Sequence, residues 1–118
     1  MTIALNAKRI LVVCPDIFLR QSRALLLQHE GYRVSSVATD DEALEALSIN
    51  SFDLVLLGRS QLQSRESSAQ RIRQNYPTQL LLEIQPLEYD ERIYPFQTVS
   101  SEPKRVIDAV HRLLNDNA

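Results

Sequence analysis

One cysteine, two glycines, no tryptophan and a formal charge of only −2 set the first limits on this 118-residue chain. The lone Cys14 allows no intrachain disulfide framework and no cysteine-rich zinc site, and it fits a reducing, cytoplasmic compartment. Thirteen Lys and Arg against fifteen Asp and Glu supply no general positive field, so neither nucleic acid nor a membrane surface is expected as a partner. The cations are mostly Arg but scattered, a distribution that speaks for surface pairing. Nowhere do about 18 apolar residues run together, and Ile3-Ala4-Leu5 precedes Lys8-Arg9, the reverse of the secretory order. No membrane span and no export by a cleaved signal are expected. With two glycines there is no glycine-rich phosphate loop, and no repeat or linker interrupts the chain. A hydrophobic content of 44% is enough for one core, so residues 1–118 are read as a single domain.

What is there is alternation of short apolar runs with helical patterns, the mark of βα units. Ile10-Leu11-Val12-Val13 and Leu54-Val55-Leu56-Leu57 lack polar alternation, as strands covered on both faces of a parallel sheet do. After the first run, Asp16 is a candidate N-cap, and Phe18, Leu25 and Leu26 recur at one-face spacing until Gly31. Arg33 to Val37 reads as a second strand, and Thr39-Asp40-Asp41-Glu42 as a capping box leading into Ala43, Leu44 and Leu47. Gly58 ends the third strand; Ala69, Ile72 and Tyr76 then mark a helix closed by Pro77. Leu80 to Ile84 and Phe96 to Val99 give two more strands, separated by Pro86 to Pro95, where only a shortened helix fits. Val106, Val110 and Leu113 place the last helix after Pro103. Five strands and right-handed crossovers predict an α/β three-layer, doubly wound parallel sheet of flavodoxin-like order 2-1-3-4-5. Its crevice lies beyond strands one and three, at Cys14, Pro15, Asp16, Gly58 and Arg59.

In order and spacing, Ile10 to Val13, Phe18-Leu19-Arg20, Glu30 to Val34, Glu42-Ala43-Leu44 and Phe52 to Leu57 resemble the receiver domain of bacterial response regulators. The resemblance implies a two-component signalling module in which an aspartate ending the third strand accepts a phosphoryl group. It also implies a magnesium ion held by that aspartate and by an acidic pair after the first strand, because a hard cation takes oxygen ligands. Carried over position by position, the acidic pair falls on Cys14 and Pro15 and the acceptor on Gly58. The hydroxyl residue ending the fourth strand falls at Ile84, between Glu83 and Gln85, and the lysine ending the fifth falls at Val99, between Thr98 and Ser100. None of these five positions keeps the working group. Asp16 alone keeps an acid, with N-capping as its plain reading.

The expectation is therefore a degenerate pseudo-receiver: no enzyme, no cofactor, no metal, acting by phosphorylation-independent protein–protein interaction, with homodimerisation as one form. Tyr89, Tyr94 and Phe96 are either an interaction patch or a cover for the sheet edge left by the shortened helix. Two alternatives use the vacated crevice. Cys14, at a strand end facing a helix, is either a redox thiol or a buried inert side chain. Arg59 either helps hold a small anion or is a solvated loop residue. His29 and His111 are read as cations near helix C-termini.

Overall fold

The computed structural model describes residues 7–58, 68–85, 97–100 and 103–115. Along the chain run β1 Arg9–Val13, α1 Ile17–His29, β2 Arg33–Val37, α2 Asp40–Ile49 and β3 Leu54–Gly58. They are followed by α3 Ser68–Asn75, β4 Leu81–Gln85, β5 Gln97–Ser100 and α4 Pro103–Asn115. The strands form one sheet in the order β2-β1-β3-β4-β5, with every pair parallel. This is a flavodoxin-like α/β arrangement. The predicted boundaries shift by one residue at β4 and β5, and Gly58 is the last residue of β3, as expected.

The two apolar runs lie side by side at the centre, Ile10 to Val13 against Leu54 to Leu57. All eight side chains are at most 3% exposed. Because successive strand side chains point to opposite faces, each run feeds two cores at once. Ile10, Val12, Leu54 and Leu56 pack with Leu27 of α1 and with Val106, Ala109 and Val110 of α4. On the other face, Leu11, Val13, Val55 and Leu57 pack with Ala43 and Leu47 of α2 and with Ala69 and Ile72 of α3. That explains why neither run alternates.

Helix ends follow local chemistry. Gly31 takes φ +96°, a conformation that disfavours any Cβ. There the Gly31 N–H donates to the Gln28 carbonyl and the Tyr32 N–H to the Leu27 carbonyl, a Schellman stop for α1. At the head of α2 the predicted capping box is present, the Thr39 hydroxyl accepting from the Glu42 N–H while the Glu42 carboxylate accepts from the Thr39 N–H. Thr39→Ala should therefore lower stability by about 1 kcal/mol, read as a lower urea midpoint at unchanged slope.

One expectation is corrected. The spacing of Phe18, Leu25 and Leu26 suggests a core face, yet they are 77%, 65% and 38% exposed, and only Leu27 of α1 is fully buried. The stripe turned to the sheet is Arg20, Arg23 and Leu27, spaced i, i+3 and i+7. Long Arg stems can line an apolar layer while their heads reach polar atoms at its rim. The predicted shortened helix between β4 and β5 lies outside the described residues. Among the described residues no helix is long and apolar enough to cross a membrane.

Candidate functional site

The carboxyl ends of β1, β3, β4 and β5 bring the expected crevice positions into one row. The register pairs Val13 with Leu57, so the next step sets Cys14 beside Gly58; Gly58 pairs with Ile84, and Ile84 with Val99. Cys14 and Ile84 are 3% and 2% exposed and belong to the α1/α4 core. Ile84, not Glu83, is thus the residue beside Gly58; Glu83 pairs with Leu57 and is turned to the opposite face, 7% exposed. The row offers a thiol, a hydrogen atom and a branched alkyl group where receiver chemistry requires oxygen anions.

The space over Gly58 is filled. A Cβ added there would lie 2.7 Å from Arg23 Nη1, 3.0 Å from Cys14 Sγ and 3.2 Å from Cys14 Cβ. Arg23 reaches the spot from the inward stripe of α1, its Nη1 donating to Cys14 Sγ at 3.5 Å. Arg20, one turn earlier, donates from Nη1 to the Cys14 carbonyl at 2.9 Å. Both contacts are half-buried, and Cys14 is tied to β2 through its N–H on the Val37 carbonyl at 3.0 Å. The crest thus carries two guanidinium groups anchored on one residue.

The carboxylates nearest this end of the sheet are engaged elsewhere. Asp16 Oδ1 accepts from the N–H groups of Phe18 and Leu19 at 2.9 and 3.1 Å, as an N-cap does. Asp40 and Asp41 pair with Arg71 at 3.4 and 2.7 Å, joining α2 to α3. The hydrogen bond to Asp41 is the chief reason the Arg71 guanidinium is held above its ordinary pKa. Among the described residues no three His, Cys, Asp or Glu come together as a metal site. The magnesium that a receiver fold implies does not fit these residues: the acceptor position has no side chain, Pro15 offers no carboxylate, and a cation already fills the notch.

Arg20 and Arg23 are the site residues that sequence reasoning missed. Their spacing puts both on one helical face with Leu27, but which face turns inward depends on what the helix meets. Cys14, read as a thiol of two fates, lies almost wholly out of solvent. His111 differs from its expected role at a helix end. Its Nδ1 is 2.6 Å from the Tyr32 hydroxyl and its Nε2 2.9 Å from Glu30 Oε1, so it ties α4 to the end of α1. His29 does lie in the last turn of α1. Arg59, Tyr89, Tyr94 and Phe96 fall outside the described residues, as do the side chains of Gln85, Thr98, Val99 and Ser100.

Solved structures share this architecture. The chemotaxis response regulator CheY4 of Vibrio cholerae matches with TM-score 0.77 at 19% identity, over 92% of this chain and 100% of that one. A response regulator receiver protein from Sinorhizobium medicae WSM419 matches with TM-score 0.76 at 20% identity, over 98% and 100%. A chain in the complex of the histidine kinase ThkA with the response regulator TrrA matches with TM-score 0.74 at 24% identity, over 92% and 99%. No protein-family model and no curated protein matches the sequence. Identities this low establish the fold, which is that of CheY-like receiver domains.

Proposed function

We propose that this chain is a signal-transduction module of two-component type that has lost the phosphoacceptor, works without a cofactor, is no enzyme, and acts by binding a protein partner through surfaces held in one conformation. The observation that carries this reading is the filled notch at Gly58, where a guanidinium and a thiol stand in place of a nucleophile. Without a metal or a phosphoryl group there is no differential interaction to shift the fold between two states. The kinase–regulator complex among the similar structures is a precedent for a protein partner on this fold.

The surface that supports binding is α1. Phe18 and Leu25 are 77% and 65% exposed, and Leu19 and Leu26 line a groove of about 80 Å³ closed on its other side by Val106 and Ile107 of α4. Helix α1 carries Arg20 and Arg23 and no acid, and α4 carries Lys104, Arg105 and Arg112 against Asp108 alone. On a chain whose formal charge is −2, these two helices form a basic face around an apolar strip. The partner that complements it is a protein surface with apolar side chains rimmed by acid, which also favours its encounter rate at low salt.

The test is titration with beryllofluoride or acetyl phosphate in the presence of magnesium, followed by amide NMR. No magnesium-dependent shift around Cys14, Gly58 and Ile84 is expected. Saturable magnesium-dependent shifts there would overturn the reading.

A further inference from the structure

We infer that Arg20 and Arg23 form a receptor for a tetrahedral oxyanion, a phosphoryl group above all, at the crest beside Gly58, bound without magnesium and without covalent transfer. The inference differs from the docking face in its ligand and in the end of the sheet it uses, although Arg23 also lines the groove between α1 and α4.

Three observations carry it. Both guanidinium groups come from the same helix and end on atoms of the same residue, Arg20 on the Cys14 carbonyl and Arg23 on Cys14 Sγ. Two cations brought together in a half-buried place repel each other and lose hydration, which an anion between them would offset. Neither has a carboxylate partner among the described residues, and Asp16, four residues before Arg20, is committed to capping α1. Each guanidinium offers five N–H donors in a planar fork, and only one from each is used on Cys14. Among the described residues, the other donors of these two groups have no partner.

The third observation is Gly58 itself. Any side chain there would enter the space taken by Arg23 Nη1, 2.7 Å from the Cβ position. The glycine lets a guanidinium reach the end of β3, so the charge at the crest is positive where a receiver acceptor would make it negative. A phosphoryl oxyanion matches both the charge and the paired N–H geometry of Arg.

The experiment uses the full chain in chelator, at constant ionic strength set with chloride. Inorganic phosphate and phenyl phosphate are titrated separately, following the Cys14 and Gly58 amides and the Arg Nε–H signals by NMR. Saturable shifts are expected, weakened about tenfold in Arg23→Met and about threefold in Arg20→Met, and unchanged in Arg71→Met, whose guanidinium serves the α2–α3 pair. Binding of phenyl phosphate would show that the site takes a phosphoryl group carried on a larger body, and binding of phosphate alone a free ion. Should Arg23→Met fail to fold, Arg23→Gln and Arg20→Met carry the comparison. The absence of saturation, or equal weakening in Arg71→Met, would overturn the site. The docking reading is tested by the magnesium-dependent response, so either can fail while the other stands.

Discussion

Gly58→Asp is expected to leave the protein without phosphoacceptor activity: incubation with acetyl phosphate and magnesium gives no acid-labile adduct of about 80 Da, although an aspartate now occupies the receiver acceptor position. The reason is the neighbour. The added Cβ falls 2.7 Å from Arg23 Nη1, and the flexible head of that arginine can move by the few tenths of an ångström required. Its charge remains close, so the new carboxylate pairs with a guanidinium and not with a metal. The second acidic position holds Pro15, and Asp16 is spent on the α1 N-cap, so a divalent ion still lacks an oxygen cage. A double-mutant cycle of Gly58→Asp with Arg23→Met should report coupling of about 1–2 kcal/mol between the two sites. Cys14 opposes the change, its Sγ and Cβ lying 3.0 and 3.2 Å from the added atom. Gly58→Ala isolates this steric part, since it adds the Cβ without the charge. If Gly58→Asp alone becomes a phosphoaspartate protein, the crest is far less altered than its side chains imply.

The sheet was legible because burial on both faces leaves a plain trace. Ile10 to Val13 and Leu54 to Leu57 are apolar without interruption, and both prove central. The Thr39 to Glu42 box and the Gly31 stop were legible for the same kind of reason, since capping chemistry is local and needs no tertiary context. The row of Cys14, Gly58, Ile84 and Val99 was reached through the resemblance, and the parallel register brings these positions side by side. What the sequence hid was the rotation of α1. Its apolar residues are numerous enough to suggest several stripes, and the choice among them depends on what the helix meets. The notch at Gly58 accepts an arginine head, so Arg20 and Arg23 turn inward and five apolar side chains turn out. The role of His111 is hidden for a related reason, as its partners Tyr32 and Glu30 are some 80 residues distant in sequence.

The rotation of α1 gives a sharp contrast between two apolar residues of one helix. Leu27 is 1% exposed and packs into the core with Ile10, Val12 and Leu56. Leu27→Ala should cost about 3 kcal/mol, the transfer of the lost methyl groups plus the cavity they leave, which for a chain of this length lowers Tm by roughly 10 °C. Phe18 carries a larger side chain but is 77% exposed, so Phe18→Ala should change stability by no more than about 0.5 kcal/mol. Had the helical spacing of Phe18, Leu25 and Leu26 marked the core, the order would reverse, and thermal or urea unfolding of the two variants decides between the orientations. The same pair separates folding from binding. Phe18→Asp should preserve the melting curve and remove affinity for a partner seated on α1, because a charge in the apolar strip must be desolvated on docking. A phenylalanine dispensable for stability and required for association is the outcome the proposed docking face predicts.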